Sequence, residues 1–187
     1  MRKYELTEET KTLLGGTVLH RIRALMDISR YGVKAGDLGG WIEKYDNLSQ
    51  DGDAWVFGNA NVSDNALVSD NALVFGNANV SGNAWVSGNA KVSGDAKVSG
   101  NAEVRGNAEV RGNADYMVVK NSWSSGRWFT YTRSNKKWKV GCFYGTGEEL
   151  IAKAYKDSEL SGKCYEAIVR AVETIEAAKA EAKGGEE

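Results

Sequence analysis

The chain has 187 residues, a formal net charge of −1, 42% hydrophobic and 26% charged residues. Those values suit a packed water-compatible protein and exclude an overall basic field that would draw the chain to nucleic acid or to an anionic membrane. Proline is absent and glycine numbers 22, so tight turns fall to Gly, Asn and Asp. The apolar runs are only a few residues long and nothing after Met1 resembles a secretory leader, so the expectation is a cytoplasmic chain with no membrane span. Cys142 and Cys164 share no metal-ligand spacing with each other or with His20, the single histidine, and read as reduced thiols.

Residues 1–53 form a mixed N-terminal segment. In "TVLHRIRAL", Val18, His20 and Ile22 alternate with Leu19, Arg21 and Arg23, which predicts an exposed edge strand. In "VKAGDLGGWIEKYDNLSQDGDAW", Ile42 and Leu48 lie six apart, so irregular coils are expected to begin before the regular repeat. The same segment is expected to cap the repeat, because a terminal coil exposes an unpaired strand edge.

Residues 54–114 repeat the hexad Ala-x-Val-x-(Gly/Asp)-(Asn/Asp) ten times without interruption, with Val56, Val62, Val68, Val74, Val80, Val86, Val92, Val98, Val104 and Val110 at its third position. A period of six keeps no face of a 3.6-residue helix, and Gly-Asn would break a helix at every copy. As a strand the pattern works: Ala and Val, two apart, point one way and the neighbours of Val point the other. Gly-Asn or Asp-Asn then turns a corner, both types tolerating positive φ. Hexapeptide periodicity is the mark of a parallel β-helix. The aliphatic-then-small spacing resembles the left-handed β-helix of hexapeptide-repeat proteins. The resemblance implies three hexads per triangular coil and a prism about 16 Å long at a rise of about 4.8 Å per coil.

An 18-residue coil stacks Trp55 with Leu73, Phe57 with Phe75 and Leu67 with Trp85 at outward positions, where later coils carry Lys91, Lys97, Glu103, Arg105, Glu109 and Arg111. Apolar stripes on a prism call for a cover. Either the N-terminal segment folds over them, or Trp55, Phe57, Leu67, Leu73, Phe75 and Trp85 form a subunit interface of a homo-oligomer, a trimer in the resembling proteins, or they line a ligand groove.

Residues 115–187 change period. "DYMVVKN", "RWFTYTR" and "KKWKVGCFY" read as three strands joined by turns at "SWSSG" and "SNK". "TGEELIAKAYK" opens a helix with Thr146 and Glu149 in capping-box spacing, and a second helix is expected from about Ser161 to Lys183 with Tyr165, Ile168, Val169, Val172 and Ile175 on one stripe. The tail "KGGEE" is expected to fray. The predicted fold class is mainly β: a left-handed parallel β-helix followed by a small antiparallel sheet and two helices.

Catalytic signals are sparse. Many left-handed β-helix proteins are acyltransferases that use a histidine base, but the one histidine here, His20, precedes the prism and no loop interrupts the hexads. "GTGEE" lacks the Lys-Ser/Thr of a phosphate loop, and no metal or cofactor is expected. The C-terminal strands are richer. Alternation sets Arg127, Phe129, Tyr131 and Arg133 against Trp128, Thr130 and Thr132, and the next strand sets Trp138, Val140, Cys142 and Tyr144 against Lys139 and Phe143. Guanidinium and ammonium groups beside aromatic rings suit a small anionic, nucleotide-like ligand. The candidate site is therefore Arg127, Trp128, Tyr131, Arg133, Trp138, Lys139 and Tyr144, with one face packed as core and the other free. Nucleic acid is not expected, because the prism's cations alternate with Glu103 and Glu109.

The whole chain, through "YELTEETK", "LHRIRAL", "VKAGDLGGWIE", "NLSQDGDAWV", "GNAxVSGNA" and "GCFYGTGEEL", resembles small phage and prophage hexapeptide-repeat proteins of the polymer-forming type. The resemblance implies a β-helix and a phage origin, but no catalytic residues. It leads to the expectation of a non-catalytic binding protein that works in the infected bacterial cell. There it would sequester a nucleotide-derived immune signal or, alternatively, engage a host or virion protein; a hexapeptide-repeat acyltransferase is the second alternative.

Overall fold

Gly or Asp at the fifth position of the first nine hexads takes left-handed backbone, from φ +57° at Asp64 to +72° at Gly76, and this turns the chain after each of those two-residue rungs; Gly112, in the tenth, is extended. In the computed structural model, which describes residues 2–184, the outcome is a parallel β-solenoid. The last three residues of the tail expected to fray lie outside those described. Strands β1 (Tyr4–Thr12), β2 (Val18–Ala24) and β3 (Leu38–Ile42) precede ten rungs. These are β4 (Trp55–Val56), β5 (Asn61–Val62), β6 (Leu67–Val68), β7 (Leu73–Val74), β8 (Asn79–Val80), β9 (Trp85–Val86), β10 (Lys91–Val92), β11 (Lys97–Val98), β12 (Glu103–Val104) and β13 (Glu109–Val110).

Rungs 18 residues apart pair in parallel, so three hexads make one coil: Trp55 lies beside Leu73, Asn61 beside Asn79, and Leu67 beside Trp85. Three interior columns result. Val56, Val74, Val92 and Val110 form one; Val62, Val80 and Val98 continue from Ile42; Val68, Val86 and Val104 continue from Leu48. Every repeat valine is at most 1% exposed, worth about 1.5–3 kcal/mol each as an upper figure. The early coil anticipated from Ile42 and Leu48 is thus present. It is two residues longer than the rest, which is why Ile42 meets Val62 rather than the residue eighteen on.

The corners carry a second order that the hexad alone did not suggest. Asn side chains stack into ladders along the prism, as in Asn65 to Asn83 to Asn101 at 3.3 Å each and Asn61 to Asn79 at 2.7 Å. Where Asp replaces Gly, its carboxylate accepts the amide of the next corner: Asp64 from Gly82 and Asp70 from Gly88, both at 2.9 Å. That hydrogen bond offsets the left-handed backbone an Asp must adopt there.

A parallel solenoid is chemically polar along its axis. Each coil's amides donate to the carbonyls of the next, as Trp55 N–H does to Ala72 C=O at 3.0 Å. The first coil therefore has spare carbonyls and the last has spare amides. The first coil is met by donors. Lys3 Nζ reaches the carbonyls of Ala54 at 2.9 Å and Gly52 at 3.1 Å, Tyr4 Oη donates to Leu48 C=O at 2.6 Å, and the buried Asn47 amide serves Ala66 C=O at 2.9 Å. The last coil is met by acceptors. The amides of Lys97, Glu103 and Glu109, one on each face, donate to Asn113 Oδ1 (2.8 Å), Thr130 Oγ1 (3.0 Å) and Ser134 Oγ (2.7 Å).

The N-terminal strands extend one face of the prism into a six-stranded sheet of order β1-β2-β3-β5-β8-β11. The edge strand is β1, not the "TVLHRIRAL" strand, which lies between β1 and β3. Leu19 and Ile22, which alternation along β2 turns to opposite faces, are both buried, and the register shift between Arg21 and Arg23 places its extra residue on β3. The β1 edge is broken by a bulge between Leu6 and Thr10 and carries Glu5, Glu8, Glu9 and Lys11, devices that discourage pairing with another strand.

Downstream, β14 (Tyr116–Lys120), β15 (Trp128–Thr132), β16 (Lys137–Val140) and β17 (Phe143–Gly145) form a small sheet in that order, followed by helices α1 (Gly147–Asp157) and α2 (Glu159–Gly184). The stretch "KKWKVGCFY" is two strands rather than one. Gly141, at φ +54°, reverses the chain so that Lys139 faces Tyr144 across an antiparallel pair, which places on one side two residues that simple alternation would separate. Thr146 and Glu149 form the expected capping box on α1. The two compact units do not divide at residue 115. One comprises Val118 and the described residues before it with Thr130–Asn135, the other Val119–Phe129 with Lys136 onward. The strand segment that supplies Thr130 and Ser134 to the last coil belongs with the solenoid for that reason.

Within the second unit, Phe129 packs edge-on against Trp138 at 6.2 Å and Tyr165 at 4.7 Å, with Leu150, Val169 and Val172 buried as well. Gly162 is required where the helices meet, since a Cβ there would stand 2.2 Å from the Tyr155 ring.

Candidate functional site

The outward apolar stripes are largely covered from within the chain. Trp55 is fully buried, with Tyr4 edge-on at 6.2 Å and Phe57 at 6.5 Å. Trp85 is half-buried beneath the Arg105 guanidinium, 3.8 Å above its ring, and its indole N–H donates to Ser69 Oγ at 2.9 Å. Phe57, Leu67 and Leu73 are half-buried and Phe75 is exposed. The covering residues, Tyr4 and Arg105, gave no sequence signal of that role.

His20 sits in β2 between Thr10 and Ile42, with Nδ1 3.3 Å from the Thr7 carbonyl. Cys142 is exposed and Cys164 half-buried, both as free thiols. Among the described residues no three His, Cys, Asp or Glu side chains gather as a metal site, and no helix is long and apolar enough to cross a membrane.

The seven ligand candidates divide between the two units. Tyr131 and Arg133 belong to the solenoid unit; Arg127, Trp128, Trp138, Lys139 and Tyr144 belong to the other. Arg133 lines a surface hollow of about 240 Å³ with Arg111, Glu109, Asp115 and Ser134. Its chemistry disfavours an external anion. Glu109 is held below the usual carboxylate range by Lys91 and by Arg111, the latter at 2.7 Å, while Asp115 accepts the Arg111 amide at 2.8 Å. The hollow is also below the ordinary ligand-pocket range of about 300–1,000 Å³. Tyr131 is buried. A larger hollow of about 440 Å³ at the β1 bulge is lined by Glu5, Glu8 and Glu9 against one cation, Arg23, which is paired with Glu5, a net negative lining that is the wrong sign for a phosphate.

The second unit is different. Trp138 belongs to its core, beside Phe129. Its neighbour Lys139 therefore points to the opposite face, paired directly with Tyr144. Trp128, next to Phe129, turns away from the core likewise and is 40% exposed; Tyr144 is 41% exposed, whereas Lys139 is buried. Lys120 Nζ lies 5.5 Å from the Trp128 ring centre, in cation–π range. The exposed Arg127 runs along the Gly141 turn, where a Cβ would be 3.4 Å from its Cδ. Residues 116–147 contain six cations (Lys120, Arg127, Arg133, Lys136, Lys137 and Lys139) and no carboxylate.

Sequence alternation missed Lys120, which stacks on Trp128, and Trp123, which is 70% exposed. Lys120 ends β14 and Trp123 lies within the turn that follows, where strand parity no longer applies. The Asn in "KNSW" was the available signal, since Asn commonly bonds to amides two and three residues ahead. Compared with protein-family models and with curated proteins, the chain gives no match, so the site is read on its own chemistry.

Proposed function

We propose that the protein is a non-catalytic binding protein whose C-terminal unit takes a small anionic, nucleotide-derived ligand. The observation that carries this reading is the exposed Trp128, with Lys120 in cation–π range of its ring and Arg127 next to it in sequence, in a stretch with cations and no carboxylate. An indole face offers base stacking worth about 1–3 kcal/mol, and each charge-assisted hydrogen bond to phosphate about 1.5–3 kcal/mol. The resemblance to phage proteins gives the biological setting of the proposal: sequestration of a host immune signal in the cytoplasm of an infected bacterium. In this reading the solenoid is a scaffold.

Titration calorimetry against cyclic nucleotides and ADP-ribose tests the reading. Arg127→Ala and Trp128→Ala should each weaken binding roughly tenfold with the fold unchanged. If no nucleotide binds while a host protein co-purifies, the protein-partner reading replaces it.

Trimer formation is a separable part of the proposal. Its support is the exposed Phe75 with the half-buried Phe57 and Leu73 on the same face, and the half-buried Leu67 on another, a narrower stripe than the sequence implies because Trp55 and Trp85 are covered within the chain. Light scattering at micromolar concentration decides it, and a monomer would leave the ligand reading intact.

A further inference from the structure

The turn between β14 and β15 is tightly built for a segment whose one large side chain is in water. Asn121 is fully buried; its Oδ1 accepts the amides of Trp123 (3.1 Å) and Ser124 (3.2 Å), and its Nδ2 donates to Ser124 Oγ at 2.9 Å. Its own amide donates to Arg127 C=O at 2.9 Å, Tyr165 Oη is 3.0 Å from Ser125 Oγ, and Gly126 closes the turn at φ +65°. Yet Trp123 is 70% exposed. An indole in water contributes little to folding, so fixing its backbone with this many hydrogen bonds is a feature of presentation rather than of packing.

We infer that Trp123 is a second stacking platform of the proposed site and that the ligand class is a dinucleotide; the inference rests on the nucleotide reading above. Within nine residues the turn and the strand ends that flank it carry two exposed indoles, Trp123 and Trp128, and two cations, Lys120 and Arg127. Two π-faces and two positive charges match two bases and two phosphates. A mononucleotide would use one of each and leave Trp123 solvated. Because stacking tolerates any base, adenine probes suffice.

The test is a fluorescence or calorimetric titration of the full chain with AMP, the linear dinucleotide pApA and cyclic di-AMP. At least one dinucleotide should bind roughly tenfold or more tighter than AMP. Trp123→Ala should remove that advantage without altering AMP binding or thermal stability, and Trp123→Phe should restore most of it. If AMP and both dinucleotides bind equally, and Trp123→Ala changes none of them, the second platform is refuted while a single-base site stands. If none of the three binds, the nucleotide reading itself fails and this inference with it.

Discussion

The amide of Glu103 donates to Thr130 Oγ1 across 3.0 Å, and this bond helps to end the solenoid. Glu103 lies on the last coil, where no further carbonyl is available, and Thr130 is buried. Thr130→Val keeps the shape and removes the acceptor, so it should destabilise the protein by about 1–3 kcal/mol, the cost of an unsatisfied buried donor. Chemical denaturation measures the loss, and amide exchange at Glu103 should accelerate specifically. Ser134→Ala, at an exposed site, should cost less.

The opposite end makes a pH-dependent prediction. Burial pushes the Lys3 ammonium down to about 8 from an ordinary 10.5, despite Asp53 and Asp51 nearby. Between pH 8 and 10.5 the unfolded state then binds more protons than the folded one, so this group makes stability rise with pH. Tyr4 acts in the reverse sense: burial, then Tyr45, hold its phenol protonated above its usual range, so its contribution is lost above about pH 10 as the unfolded phenol ionises. Wild-type stability measured against Lys3→Met should show a difference that grows from pH 8 towards pH 10. A flat difference would mean that Lys3 is solvated rather than seated on the Ala54 and Gly52 carbonyls.

The interior columns make the sharpest stability prediction. Val80 is packed between Val62 and Val98 and is 1% exposed. Val80→Asp places a carboxylate in a column of valines with no partner, and the chain should fail to fold, as circular dichroism would show. Val80→Ala should fold with reduced stability. A folded, fully stable Val80→Asp protein would contradict the column assignment.

The valines made the prism legible because period and side-chain type agree at every copy. Ile42 and Leu48 extended it by the same logic. What escaped was set by contacts remote in sequence or by single backbone irregularities. Tyr4 covers Trp55 from fifty-one positions away, Arg105 covers Trp85 from the next coil, and nothing local marks either. One positive φ at Gly141 converts a nine-residue alternating run into a hairpin and moves Tyr144 to the side of Lys139. At the candidate site the residue types were readable, while their division was not. Trp138 and Trp128 look alike in sequence, and only the packing of Phe129 decides that one is core and the other is exposed.

His20, placed between β1 and β3, has no role in the proposed binding. His20→Ala should leave nucleotide affinity within about twofold of wild type, measured by the same calorimetry. A loss of biological effect with binding intact would revive a catalytic reading.

Stoichiometric capture is tested most directly by recovery of the captured molecule. Purified protein would be incubated with a nucleotide mixture, separated from free ligand, then heat-denatured and the released molecules identified by mass spectrometry. Capture without catalysis predicts one nucleotide species, chemically unchanged, in stoichiometric proportion to chain and lost in Arg127→Ala. Release of nothing, or steady conversion of a nucleotide by sub-stoichiometric protein, would contradict it.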